Sequence, residues 1–546
     1  MKKSYQVLLP FLLVCLAPLA TPAQSFRVQC PTSTITHPDP KNTGVNNSEP
    51  AYVGPTTFTT SATGGYLVPG SSSNVNGAIK CQQISGGDGY STMGDGTQTY
   101  MFSFGPLSGL ADIANGLPGT QFPKDFNMVY PGTFRPGDPA STVGVTSGGP
   151  LTFPISTAGF TYNGAVGLVP DQDAIAAGRC TAPCLDGHVD PRAITEVGVM
   201  NGNIPAPLFA IDEDDEFFLT LTNVGMIMRP DLFEQHTVHF HGYPNASTFY
   251  DGVPDASVAI NIGGSFTYYY LAPDAGTYFW HCHITPPEHL QMGMVGQLYV
   301  RPRQNRVAAG NSLYDALVAQ QGDNRTKCDS TVDILCSNPL PSGAAAGSAP
   351  RATTGNYAYN DGDGSTHYDV EYPLQIHGFD PNFHFVGMTF NPEEFNDMKD
   401  KYFLLNGRSY PDTVTPGPLA TQTSDSKMHF SQPLPSIISI PVGGRALLRI
   451  SDLDVTEYQT LASLGIPMTV IGYNAKLLRD QAGNNLYYNT NSITLGGGES
   501  LDVILDASDT TKYPSGSVFY LYTPNLDHLS NDAENFGGLM TEVRIN

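Results

Sequence analysis

Apolar residues along this chain recur at strand spacing. Short runs rich in aromatic and β-branched residues, bounded by Gly, Pro, Asp and Asn, predict strands at 97–104, 158–162 and 217–223, and at 265–271, where polar and apolar positions loosely alternate. Further runs predict strands at 401–405, 445–450, 468–471, 501–505 and 517–522. Turn signals separate them, among them Gly105-Pro106, Pro118-Gly119, Pro131-Gly132, Asp251-Gly252 and Gly263-Gly264. A single short helix is expected over 312–320. The spacing implies an all-β chain with two sandwiches, one over 191–301 that closes at 296–300 and one over 369–546. Residues 24–190, rich in Gly, Ser, Thr and Pro, predict an irregular β-containing N-terminal extension. Residues 302–368 predict a linker, flexible over the Ala/Gly/Ser/Pro-rich 343–355.

The first residues set the compartment. Met1-Lys2-Lys3, an apolar run over 7–19 and small residues from Ala20 to Ala23 form a secretory signal peptide, 1–23. The mature chain is therefore expected to be secreted or periplasmic. No other stretch is long and apolar enough for a membrane span. Of 8 cysteines, Cys15 lies inside the signal. Cys30, Cys81, Cys180, Cys184, Cys328 and Cys336 could form three disulfides in an oxidising compartment. Cys180–Cys184 and Cys328–Cys336 are the local pairs and Cys30–Cys81 the remainder, although sequence alone leaves connectivity open. Fifty acidic against 26 basic residues give a net charge of −24. That balance argues against nucleic acid and anionic membranes as partners, and suits cationic or metal-ion partners.

The unpaired cysteine carries the chemistry. Gly276-Thr277-Tyr278-Phe279-Trp280-His281-Cys282-His283 ends a β-rich run, and His289 and Met294 follow on a short loop. A thiolate, a histidine and a weak methionine, with one more histidine, are the donors of a blue-copper electron-transfer site. His236-Thr237-Val238-His239-Phe240-His241-Gly242 offers that histidine as His236. His239 with His241, and His281 with His283, are His-x-His pairs, and each pair points to one face of its strand. Two adjacent strands could thus present four imidazoles to further copper ions beside Cys282. His377, His384, His429 and His528 read as surface or turn residues, Trp280 as core, and Met226, Met228 and Met292 as core or loop. His37, His188 and His367 carry no motif. Asp361-Gly362-Asp363-Gly364-Ser365 alternates oxygen donors but lacks the terminal glutamate of a calcium loop, and predicts a solvated turn.

His-x-x-His-x-His-Gly, Asp251-Gly252-Val253-Pro254 and Gly-Thr-Tyr-x-x-His-Cys-His followed by His-x4-Met together resemble the multicopper oxidases. Asn201-Gly202-Asn203-Ile204-Pro205-Ala206-Pro207 resembles the opening strand of their first cupredoxin domain, and Asn406-Gly407-Arg408-Ser409-Tyr410-Pro411 the start of a further one. The resemblance covers 194–301 strongly and 369–546 more weakly, and implies tandem cupredoxin-like Greek-key β-sandwiches. It further implies type 1 copper on His236, Cys282, His289 and Met294, a type 2 ion on His239, and a type 3 pair on His241, His281 and His283. An unidentified reductant, whether a phenol, a metal ion or a redox protein, would supply electrons, and dioxygen would accept them. The family's cluster uses four His-x-His pairs, and this chain has two. Leu464-Gly465-Ile466-Pro467-Met468-Thr469-Val470 and Phe519-Tyr520-Leu521-Tyr522-Thr523-Pro524-Asn525 stand without histidine where ligands are expected, so the second domain reads as copper-free. A homo-oligomer could complete the cluster, or His377, His384 or His528 could join it. Otherwise a nitrite-reductase-like centre or a type 1 ion alone remains. A copper-binding electron carrier without catalysis is the alternative function.

Overall fold

The computed structural model describes residues 28–38, 48–71, 75–113, 115–126, 202–226, 229, 231–242, 247–272, 274–320, 340–342, 349–385, 395–422 and 428–546. The signal peptide, the strand expected at 158–162, and Cys180, Cys184, Cys328 and Cys336 lie outside them.

Two β-sandwiches stand in tandem. The first is built from β1 (Ile79–Thr92), β2 (Gln98–Pro106), β3 (Phe209–Asp212), β4 (Glu216–Gly225), β5 (His239–Phe240), β6 (Ser265–Leu271), β7 (Gly276–His281) and β8 (Val295–Arg301). One sheet has the order β2-β1-β4-β6 and the other β3-β8-β7-β5. The boundary drawn at residue 191 therefore cuts through a sheet. β1 runs parallel to β4 and β2 antiparallel to β1, so residues expected to form an appendage supply half of one sheet of the sandwich. Between the sheets, Trp280 is fully buried, stacked on Phe209 at 4.4 Å and on Phe104 at 5.6 Å. Burying such rings supplies much of a core's apolar area. Trp280 is thus a core residue as expected, and Met226 and Met292 are buried too.

The second sandwich comprises β9 (Val370–Phe379), β10 (Tyr402–Leu405), β11 (Ile438–Ile440), β12 (Arg445–Asp452), β13 (Gln459–Leu464), β14 (Met468–Tyr473), β15 (Lys476–Leu477), β16 (Ser492–Leu495), β17 (Ser500–Asp506), β18 (Val518–Tyr522) and β19 (Met540–Ile545). Its sheets run β10-β9-β12-β17-β14-β15 and β11-β19-β18-β13-β16 around a separate aliphatic core. The expected helix is present over Leu313–Gln320.

The sandwiches meet through buried polar bonds. Gln297 donates to the Arg449 carbonyl at 2.9 Å and to Ser451 Oγ at 2.7 Å, and Thr277 donates to Asp502 at 2.6 Å. Much of the expected linker is packed. Asn360 donates to Glu213 at 2.6 Å, and Tyr357, Tyr359 and Asp361 are buried. Asp361 is not part of a solvated turn. Its carboxylate accepts the main-chain N–H groups of Asp363, Gly364 and Thr366, and the Gln304 amide. Cys30 and Cys81 form a disulfide. Among the described residues, no helix is long and apolar enough to cross a membrane.

Candidate metal centre

Cys282 lies immediately beyond β7, and its N–H donates to the Met294 carbonyl at 2.9 Å. The loop between them carries α1 (Pro286–Gln291), whose buried His289 turns inward. His236 arrives from a two-residue bridge with Ile260. The Cys282 Sγ and imidazole nitrogens of His236 and His289 lie within 4.8 Å of one another, and all three residues are buried. His289 Nδ1 is 3.4 Å from Sγ, and the Thr237 N–H points at Sγ from 3.5 Å. Met294 is fully buried on the same loop.

This set fits a soft metal ion. Both nitrogens of His236, and Nε2 of His289, are buried without a hydrogen-bond partner. Such groups cost free energy unless something else binds them. Burial holds His289 down to about 3 and His236 well below the usual histidine range, so both lone pairs are free. Burial likewise pushes the Cys282 thiol up to about 11, so a metal must displace its proton. Cys282 is the free cysteine among the described residues.

The four remaining histidines gather on one face. β5 pairs with β7 so that His239 stands opposite His281. The two-residue period then adds His241 and His283. Ring centroids are 4.9 Å apart for His241 and His281, 5.2 Å for His239 and His283, and 5.5 Å for His281 and His283. His239 Nδ1 lies 2.6 Å from the Asp251 carbonyl, and His281 Nδ1 lies 2.6 Å from the Cys282 carbonyl. Carbonyls only accept, so both protons sit on Nδ1 and both Nε2 lone pairs face the group. Burial lowers His281 to about 3 and His241 to about 4.

The second sandwich walls this face. A pocket of about 570 Å³ has His241 and His281 on one side and Asp454, Glu457, Tyr458 and Gly498 among the residues on the other. Among the described residues, no histidine of the second sandwich lines it. His377, His384 and His528 are buried rather than at surface turns, each held by hydrogen bonds elsewhere. Lone histidines on no periodic pattern gave no signal of that.

Residues 186–305 match the family model described as multicopper oxidase. That stretch is a multicopper oxidase domain. It contains all eight of the histidine, cysteine and methionine residues expected to bind metal, and copper is the metal of that family. The chain is 34% identical over 122 residues to laccase abr2 of Aspergillus fumigatus, covering 22% of this chain and 19% of that one. It is 31% identical to the multicopper oxidase MmcO of Mycobacterium tuberculosis, over 23% of this chain and 25% of that one. It is also 34% identical to a copper-containing nitrite reductase of Rhizobium meliloti, over 22% and 31%. The chain thus spans a minor part of each relative's length. A blue copper oxidase structure from Nitrosomonas europaea aligns at a TM-score of 0.41 and 21% identity, covering 63% of this chain and 78% of that one.

Sequence reasoning missed three residues that shape the multicopper oxidase domain's site. A Cβ on Gly86 would lie 2.6 Å from the His236 ring, so glycine there admits the imidazole. Thr237 directs its N–H at Sγ while its hydroxyl accepts the His283 N–H at 2.9 Å, tying the two sites together. Gln291 bonds α1 to the second sandwich. Gly86 lies outside the ligand motifs, and Thr237 and Gln291 stand at positions the motifs leave unspecified.

Proposed function

We propose that this chain is an exported copper oxidoreductase in which an external reductant is oxidised at the Cys282 site and dioxygen is reduced at the histidine group. His236, Cys282, His289 and Met294 would hold the type 1 ion, and His239, His241, His281 and His283 the further ions. Copper, when bound, supplies one-electron redox chemistry at both places. The residues supply the rest. Burial excludes water from Cys282, Thr237 orients its sulfur, and the carbonyl bonds at Nδ1 aim the imidazoles. One observation carries the reading: the thiol that converges with two orphaned imidazoles is flanked in the chain by His281 and His283 of the second group. The peptide units beside Cys282 are then a short covalent route for electrons. The reductant is a phenol, a metal ion or a redox protein, and the acidic charge favours a metal ion.

A second reading, a non-catalytic copper electron carrier, is favoured by the pocket wall that offers carboxylates where the family places histidines. Copper analysis with electron paramagnetic resonance distinguishes the two. Three or four copper ions per chain, with type 1 and type 2 signals, support the oxidase. Two would indicate a nitrite-reductase-like centre. A single type 1 ion would overturn the oxidase reading in favour of the carrier. Cys282→Ser should abolish the type 1 signal and leave binding at the histidine group.

A further inference from the structure

We propose that Gln291 is a positioning residue through which the second sandwich fixes the loop carrying His289 and Met294. This rests on the reading of those two residues as metal ligands. α1 has six residues, begins with prolines and has no side-chain cap at Thr285. A helix so short has no stability of its own and depends on tertiary contacts. Its last residue, Gln291, lies two positions after His289 and three before Met294, and is fully buried.

Every polar bond recorded for the Gln291 side chain goes to the second sandwich. Nε2 donates to Asp400 Oδ1 at 2.5 Å. Oε1 accepts the Asp380 N–H at 3.1 Å and lies 2.9 Å from His384 Nε2. The Gln291 main-chain carbonyl also receives His377 Nε2 at 3.1 Å. These partners are themselves fixed. His384 stacks on Phe379 at 5.3 Å with 8° between the rings, and Asp400 Oδ2 accepts the Thr456 hydroxyl. His377 and His384 must carry their protons on Nε2 to donate to Gln291, and both Nδ1 atoms are buried without partners. Two unmet buried acceptors are unfavourable, so packing stability alone does not account for these imidazoles. The arrangement holds the side-chain amide through three bonds and the main-chain carbonyl through a fourth. Groups that orient metal ligands from outside the coordination sphere typically change metal affinity by 10–100-fold.

The test uses the full chain loaded with copper. Gln291→Leu keeps the side-chain bulk and removes the side-chain bonds, and His384→Phe removes one donor from the other side while keeping a ring to stack on Phe379. Both should weaken copper binding at the Cys282 site about 10-fold or more in a chelator competition, shift its reduction potential and alter the type 1 hyperfine splitting. Glu371→Gln, which breaks a domain contact at the opposite end of β8, should leave the splitting and potential unchanged. Wild-type spectra and affinity in both loop variants would overturn the proposal while sparing the metal site. Equal disturbance by Glu371→Gln would overturn it in favour of a general loss of domain packing. A wild-type protein without a type 1 signal would overturn both the proposal and the site reading beneath it.

Discussion

Glu371 provides a quantitative test of how the two sandwiches are joined. Its carboxylate is 15% exposed and lies between Arg301 at the end of β8 and Arg449 of β12. Arg301 Nε donates at 2.9 Å, Arg449 Nε at 3.1 Å and the Tyr368 hydroxyl at 2.9 Å. Burial alone would raise its pKa, but the two guanidinium groups outweigh burial and hold it at about 2, against a reference of 4.5. That difference corresponds to roughly 3 kcal/mol. A carboxylate with a depressed folded pKa contributes stability that is complete above 4.5 and is lost as pH falls through about 2. Glu371→Gln leaves the fully buried Arg449 with Asp502 at 3.7 Å as its remaining acidic partner. The loss at neutral pH should therefore be about 3 kcal/mol, at the lower edge of the range for breaking a buried pair. Urea unfolding followed by the fluorescence of the single tryptophan, Trp280, reads the first core. The difference between wild type and variant should shrink to under about 1 kcal/mol near pH 2, where the carboxylate is protonated in the unfolded chain and about half protonated in the folded one. A difference that stays constant with pH, or a loss below about 1 kcal/mol at neutral pH, would refute the account.

Two further outcomes follow from other contacts. Burial and the neighbouring Asp454 push Asp400 up to about 8, so the fold holds its neutral acid. The stability this group contributes is present below 3.8 and lost as pH rises through about 8, and Asp400→Asn, which stays uncharged, should be progressively more stable than wild type across that interval. Thermal unfolding at stepped pH checks this, and parallel curves would count against it. Gly498 has φ +90°, and a Cβ there would lie 3.3 Å from His241 Nδ1. Gly498→Ala should therefore cost about 1–3 kcal/mol in backbone strain and reduce metal occupancy at the histidine group. Metal analysis should show that loss, with the type 1 signal retained.

The gathering of the candidate donors was legible in the sequence because they are local. His281, Cys282, His283, His289 and Met294 fall within one strand end and its loop, and the period of two places His239 and His241 on one face without further information. Part of the frame around them was not legible. β1 contains Ser85-Gly86-Gly87-Asp88-Gly89, a composition depleted in strands. Those glycines have a purpose only the structure reveals: side chains at 86 and 89 would strike His236 and the Gly202 carbonyl. The packing of the described parts of 302–368 was hidden for a similar reason. Asp361 and Asn360 are polar in sequence and buried in the fold, and their partners Gln304 and Glu213 lie 57 and 147 positions away. Strand spacing also gave the second sandwich, but not its role at the copper loop, since the Gln291 bonds reach 86 to 109 residues along the chain.

The two sandwiches therefore divide the work unequally. Every donor proposed for copper comes from the first, on β5, on β7, on the segments flanking β5 and on the loop after β7. The second contributes bonds that hold α1, a pocket wall over His241 and His281, and the acidic group between Arg301 and Arg449. A second sandwich lost from the chain would leave those histidines open to water and α1 without its anchors, even with every ligand present. The same reasoning applies at the other end of the first sandwich. β1 and β2 contribute Ile84, Met101, Phe102 and Phe104 to its core, so a fragment beginning at residue 191 would keep the whole ligand set but bare one face of Trp280. Ligand motifs alone do not define the unit that binds copper; that unit includes the glycine-rich strand before the motifs and the histidine-poor sandwich after them.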